Sequence, residues 1–480
     1  MCVIIGRKKE VAELNRYYNS GKAEFVAVYG RRRVGKTFLI DEVFRDNIAF
    51  HHTGLSPYDR KRKVTLKDQL QNFYFSLVRH GMDGISQPKS WMEAFFLLET
   101  FLKSRDNGSR QVVFIDELPW MDTARSGFLT ALEAFWNGWG NMQHNLCLVV
   151  CGSATSWMID NLINNKGGLY GRLTGEMKLQ PFTLKECEDF FKSRGIEMSR
   201  YNIIQAYMTV GGIPFYLNMF NPAYSLAQNI DALFFTREAK LNDEFERLFN
   251  SVFDHADKCM EVIRFLGHRH QGYSRDEIAK KLGTSPNGEF SKILKALEGS
   301  GFIAQYVPFG NQRNQFLYKL MDPFCWFWLH FKEKLKVDKA DYWQRHLKET
   351  EVAAWRGIAF EEVCLQHIDQ IKRALQIGGV SSRESAYVVN GDAENAGTQI
   401  DLLIDRDDDV VNLCEIKYYK ESFTVSKSYC DALEHRKSVM QKAFPDKTFH
   451  MTFIGAGELN RNNYSDIFVS EVTAEDLFVF

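Results

Sequence analysis

Three groups of residues have the types and spacing to do chemistry on phosphates. The first is Gly30-Arg31-Arg32-Arg33-Val34-Gly35-Lys36-Thr37, which has the form GxxxxGK(S/T). Gly30 and Gly35 let the backbone bend so that its N–H groups, with the positive end of the next helix, surround an anion. Lys36 then reaches the β- and γ-phosphates of a nucleotide, and Thr37 ligates Mg²⁺. The second group is Asp116-Glu117, which closes the apolar run Val112-Val113-Phe114-Ile115. Asp116 would hold Mg²⁺ through water, and Glu117 would polarise the water that attacks the γ-phosphate. A helix N-cap is the plainer reading of the same pair.

The third group lies far downstream, at Asp401, Glu415 and Lys417. Glu415 and Lys417 are two apart on an expected strand and so share a face. If that strand pairs with its neighbour, Asp401 lies beside Glu415. Two carboxylates that close need a shared proton or a cation, and Mg²⁺ with oxygen ligands meets that need. Lys417 would orient or deprotonate the attacking water, or neutralise the phosphate. This is a layout for metal-assisted hydrolysis of a phosphodiester. Ordinary alternating charge on an exposed strand is the alternative.

The elements that must position these groups are legible from periodicity. Residues 8–19 read as a helix and 25–29 as a strand that feeds the glycine-rich loop. Residues 38–43 continue as a helix, and a strand follows near 47–52. Helices are expected around 66–79, 90–104 and 126–138, alternating with buried strands at 112–115 and 146–153 and a last one near 177–179. Alternation over 25–180 implies a parallel sheet covered by helices on both faces. Ser153 ends one strand where it can sense a γ-phosphate, with a plain strand-ending turn residue as the alternative. Arg172, beside Gly171, is the arginine expected to stabilise transition-state charge, with a surface salt bridge as the alternative.

Composition sets the outer limits. At 480 residues, with 45% hydrophobic and 25% charged residues, the chain reads as soluble and made of two to four domains. A net charge of −1 gives no global pull toward nucleic acid or membrane, and Arg60-Lys61-Arg62-Lys63 reads as a solvated surface run. Nine cysteines without a CxxC pair point to a reduced, cytoplasmic setting. The apolar run 324–329 is far shorter than a membrane span, which needs ~18 residues.

The succession Ile5-Gly6-Arg7, Gly30 to Thr37, Asp116-Glu117-Leu118-Pro119-Trp120, Cys151-Gly152-Ser153, Tyr170-Gly171-Arg172 and Gly212-Ile213-Pro214 resembles the archaeal-type ATPases of the AAA-like, signal-transducing P-loop NTPase group. The resemblance covers roughly 1–250. It implies a nucleotide-dependent switch with the Gly-x-Pro segment near the nucleotide. Residues 257–320 suit a winged helix, with Ser274 to Glu277 capping its second helix, Lys292 and Lys295 outward on the third, and Arg313 in the wing. DNA contact and an intramolecular lid are both open for that module. The C-terminal region resembles the restriction-endonuclease-like PD-(D/E)XK fold, with Asp401 and Glu415-Ile416-Lys417 as its acidic and E-x-K elements and Glu362 or Glu361 as its helix-borne acid. Ile400 stands where the name-giving proline would be.

The expected fold is therefore α/β: a P-loop NTPase parallel sheet over 1–182 with a helical lid at 183–255, a winged helix-turn-helix at 256–322, a helical connector at 323–350, and a restriction-endonuclease-like α/β domain at 351–480. Residues 30–37, Asp116 and Ser153 are assigned to ATP. Thr37, Asp116, Glu362, Asp401 and Glu415 are assigned to Mg²⁺. Glu117, Arg172, Asp401, Glu415 and Lys417 are the catalytic candidates. DNA, a second copy of the chain or another protein are the expected partners. An ATP-controlled binding switch with an inactive nuclease-like domain is the alternative function.

Overall fold

A computed structural model of the chain describes residues 4–57, 62–253, 255–312, 314–335, 339–389 and 398–479. Arg60, Lys61 and Arg313 lie outside the described residues, as do the side chains of Val388, Val389, Thr398 and Asp401. Two compact units account for the chain: Met1–Pro181 with Arg247–Ala256 and Lys295–Ser300, and Phe182–Glu246 with Asp257–Leu294 and Gly301–Phe480.

In the first unit, β1 (Glu24–Tyr29), β2 (Ile48–Thr53), β3 (Gln111–Asp116), β4 (Leu146–Gly152) and β5 (Gly175–Lys178) form one sheet in the order β2-β3-β4-β1-β5. Every neighbouring pair is parallel. β3 and β4 are buried along their whole length, as expected of strands covered on both faces. Alternate residues Phe25, Ala27, Val113, Ile115, Leu148 and Val150 share one core with Phe73, Trp91, Phe95, Phe128 and Phe135. These aromatics come from helices Leu66–Arg79, Trp91–Ser104 and Phe128–Gly138. Trp91 meets Phe128 edge-on at 4.9 Å and Phe95 stacks on Phe135 at 5.3 Å. By strand alternation, Asp116 and Cys151 belong to the opposite set. The expected strands and helices of this unit are present to within one or two residues. Three short elements were not anticipated: helix Leu118–Met121, the 3-10 turn Gly140–Met142 and, beyond Ser153, helix Thr155–Trp157, which runs into a π-helical turn, Met158–Ile163.

The second unit opens with helices Leu184–Ser193, Arg200–Val210, Pro214–Leu217 and Leu226–Phe234. Thr183 and Glu186 close a capping box on the first. Gly212 is required for close approach: its carbonyl accepts the Phe182 N–H at 2.6 Å, and a Cβ there would lie 1.9 Å from the Phe182 carbonyl oxygen. The capping box expected at Ser274 and Glu277 is present on helix Arg275–Lys281. β6 (Ile303–Tyr306) and β7 (Leu317–Leu320) pair antiparallel. The apolar run at 324–329 is short because it fills a core: the Phe327 ring lies 4.7 Å from Phe234, 5.1 Å from Trp343 and 5.3 Å from Trp355. Among the described residues no helix is long and apolar enough to cross a membrane.

The C-terminal part of this unit is built on β8 (Ser382–Val389), β9 (Thr398–Arg406), β10 (Val410–Lys417), β11 (Phe423–Thr424), β12 (Thr448–Gly455), β13 (Leu459–Asn460) and β14 (Ser470–Thr473). β11 and β13 pair only with each other, and the main sheet runs β14-β12-β10-β9-β8. β8, β9 and β10 are successively antiparallel, whereas β10, β12 and β14 are parallel. Helix Thr350–Gln366 precedes the sheet and helix Lys427–Ala443 connects β10 to β12. β8 was not foreseen, because its residues, Ser382-Arg383-Glu384-Ser385-Ala386-Tyr387 in the main, lack an apolar run.

Candidate nucleotide site and the C-terminal carboxylates

The nucleotide site is assembled where β1, β3 and β4 end. A Cβ on Gly30 would lie 2.4 Å from the Leu179 carbonyl oxygen, so this position admits only glycine. Gly35 (φ 92) begins helix Lys36–Phe44. Lys36 is buried, and its Nζ donates to Gly30 O at 3.0 Å, Arg31 O at 3.1 Å and Ser153 Oγ at 3.1 Å. Burial lowers its pKa, while Cys151, Glu117 and Asp116 pull the other way. Thr37 Oγ1 donates to Asp116 Oδ2 at 2.9 Å. Glu117 sits in the left-handed region (φ 49, ψ 48), a conformation that costs a non-glycine residue roughly 1–2 kcal/mol. It is held there by Ser153, whose N–H donates to Glu117 Oε2 at 3.1 Å and whose hydroxyl donates to Oε1 at 2.8 Å.

The structure thus joins Lys36, Thr37, Asp116, Glu117 and Ser153 in one hydrogen-bonded chain. Thr37 and Asp116 already share a hydrogen bond across the point where a hard cation takes hydroxyl and carboxylate oxygens, so the residues present fit Mg²⁺. Arg172 is exposed, and its amide donates to Leu169 O at 3.1 Å. Arg31 and Val34 are buried. Arg32 donates to Ser251 O at 3.4 Å and lies over the Trp120 ring at 5.5 Å. Arg33 has φ 71. Arg7 is a support that residue patterns alone left without a role: buried, it donates to the P-loop carbonyl of Val34 at 3.3 Å. Lys295, expected to point outward on the third helix of the winged-helix region, pairs with Asp160 at 2.5 Å.

At the C-terminal candidate site, the β9–β10 pairing runs from Val411↔Asp405 to Cys414↔Leu402, so Asp401 and Glu415 each follow directly on its last pair. Glu415 and Lys417 share a face and are ion-paired at 2.6 Å. Tyr429 also donates to Glu415 Oε1, and Arg436 donates to Oε2 at 2.7 Å. Burial by itself would lower the Lys417 pKa, but Glu415 and Tyr429 outweigh it and hold it above the ordinary lysine value. Burial and Glu415 push Tyr429 up to about 12. Tyr429 and Arg436 are seven apart on helix Lys427–Ala443, the spacing of one helix face, but that spacing does not name Glu415 as their partner.

Glu362, proposed as a helix-borne metal ligand, is engaged elsewhere. It pairs with Lys319 at 2.8 Å and with His270 at 3.5 Å, while Glu361 pairs with His270 at 2.8 Å. Among the described residues no group of three or more His, Cys, Asp or Glu side chains is placed to hold a metal ion. Burial alone would lower the His270 pKa, but the hydrogen bond to Glu361 and the charges of Glu362 and Glu361 raise it above 6.5 against the opposing charge of Lys319. A raised histidine contributes stability that is fully present below its unfolded pKa of about 6.5 and is lost as pH rises through the folded value. His270→Phe is therefore expected to cost about 2 kcal/mol at pH 6 and to flatten the decline of urea stability between pH 6 and 8. A decline that persists unchanged in the variant would assign it to other groups.

The parallel sheet and the glycine-flanked loop before helix Lys36–Phe44 have the arrangement of a P-loop nucleotide-binding fold. Residues 4–220 match a family described as an ATPase domain predominantly from Archaea. An uncharacterized protein of Methanocaldococcus jannaschii is 24% identical over 455 residues, covering 91% of this chain and 92% of that one. An uncharacterized ATP-binding protein of the same archaeon is 50% identical over 38 residues, 8% of this chain and 64% of its own length. Among solved structures, the Walker-type ATPase of Pyrococcus abyssi aligns with a TM-score of 0.47 at 18% identity, covering 68% of this chain and 96% of that one.

Proposed function

We propose that the chain binds and hydrolyses ATP at the loop of residues 30–37 and uses that cycle to control a nuclease-like C-terminal domain acting on nucleic acid. The observation that carries the first half is the chain of contacts from Lys36 through Ser153 to Glu117. An incoming γ-phosphate competes for Lys36 and for the Ser153 hydroxyl, which leaves the Glu117 carboxylate free to take a proton from water. Water oxygen bonds to the γ-phosphorus, the bond to the β–γ bridging oxygen breaks, and ADP and phosphate leave. Thr37 and Asp116 would hold Mg²⁺, which when bound neutralises charge on the β- and γ-oxygens. Arg172 is the transition-state arginine in this reading.

Three features support the second half: a helix, three antiparallel strands, a crossover helix and a parallel strand in that chain order; Glu415 and Lys417 on one face; and a β9–β10 pairing whose last pair, Cys414↔Leu402, directly adjoins Glu415 and Asp401. Domain limits at 182, 255, 322 and 350 remain part of the same proposal. The test is to follow ATP turnover and DNA cleavage in one sample while titrating Mg²⁺. Lys417→Ala is expected to reduce Mg²⁺-dependent cleavage by ~10²-fold or more; cleavage at the wild-type rate would remove Lys417 from the chemistry.

One observation favours a second reading, in which ATP controls a nucleic-acid-binding or protein-binding switch without cleavage. Both Glu415 oxygens are occupied by Lys417, Tyr429 and Arg436, so a cation there must displace a donor. On this reading, DNA is retained uncut with or without Mg²⁺, and its affinity falls steeply with salt.

A further inference from the structure

We infer that Cys151 is a positioning residue for Mg²⁺–nucleotide binding, acting through Asp116; the inference rests on the ATPase reading above. Most buried cysteines pack as small hydrophobes, and Cys151 is fully buried at the end of β4. Its thiol, however, meets a carboxylate. Cys151 Sγ donates to Asp116 Oδ1, which also accepts the Glu117 N–H at 2.9 Å.

Two donors on one oxygen fix the rotation of the Asp116 carboxyl group. Its second oxygen, Oδ2, is thereby directed at Thr37 Oγ1, the other atom fitted to the cation. β4 lies between β1 and β3, with Val28↔Cys151 and Ile115↔Val150 in register. Cys151 is thus the β4 residue one step beyond the last β3 pair, level with Asp116. With the thiol removed, Oδ1 keeps a single donor and the carboxylate can turn away from Thr37. Metal affinity then suffers, while the backbone cradle and Lys36 still hold the nucleotide.

The test is equilibrium binding of a fluorescent ADP to the full chain, first in EDTA and then through a Mg²⁺ titration, for the wild type, Cys151→Ala, Cys151→Val and Cys151→Ser. Binding in EDTA is expected within about twofold of wild type throughout. The Mg²⁺ concentration for half-maximal enhancement is expected to rise about tenfold in Cys151→Ala, the loss of one charge-assisted hydrogen bond. Cys151→Ser, which keeps a donor, should stay within about threefold. Cys151→Val also lacks a donor but retains bulk, so it replaces Cys151→Ala if the cavity prevents folding. An unchanged Mg²⁺ midpoint in the donorless variants overturns the inference, as does a serine variant as impaired as alanine. Failure of the wild type to bind fluorescent ADP at all would instead bring down the ATPase reading beneath it.

Discussion

Lys36→Ala is expected to lower ATP turnover by ~10²–10³-fold, the scale of removing one preorganised donor from a developing phosphate charge. It should also erase the thermal stabilisation that ATP confers. A ligand at about 100 times its dissociation constant stabilises by about 2.7 kcal/mol, or a shift of roughly 5–10 °C for a unit of this size. In the absence of nucleotide the variant should be no less stable than wild type. Lys36 is a buried ammonium whose pKa burial lowers, and its three acceptors, Gly30 O, Arg31 O and Ser153 Oγ, offset that cost only in part. Thermal melts with and without ATP, beside a phosphate-release assay, decide the matter. Turnover within threefold of wild type would exclude Lys36 from phosphate contact.

Glu117→Gln separates binding from chemistry. The amide is isosteric and can still accept from Ser153 through its oxygen, so the left-handed turn at Glu117 and the short helix Leu118–Met121 should survive. It cannot accept a proton from water, and single-turnover hydrolysis is expected to fall by ~10²–10⁴-fold while ATP remains bound. A variant that hydrolyses normally would reassign Glu117 to a structural role at the start of that helix. Ser153→Ala gives a different outcome: it removes the hydroxyl from Oε1 and so frees that oxygen before ATP arrives, while the backbone N–H still donates to Oε2.

The parts legible in the residues were those with a local cause. An apolar run followed by two glycines at fixed spacing and a lysine forms the loop because φ 141 at Gly30 and φ 92 at Gly35 favour glycine. The same holds for the capping box at Ser274 and for the strands at 112–115 and 146–153. The E-x-K face at Glu415 and Lys417 follows from the period of a strand. What could not be read were partners from other elements. Nothing near Glu362 in the chain announces Lys319 or His270, and nothing near Glu415 announces that Arg436 would take its second oxygen.

The division is sharpest at the nucleotide site. Residue order alone decided that this chain has a phosphate loop, an acidic strand end and a strand ending in serine, because each is a property of a few adjacent residues. Only the tertiary structure decided that they work on one another. The strand order β3-β4-β1 inserts the end of β4 between the loop and Asp116. Lys36 thereby meets Ser153, 117 residues away, and Thr37 meets Asp116, 79 residues away. That order is set by which strands pack side by side, a choice made by the whole core and written in no local pattern. It turned a buried cysteine and a strand-ending serine into the residues that hold Asp116 and Glu117.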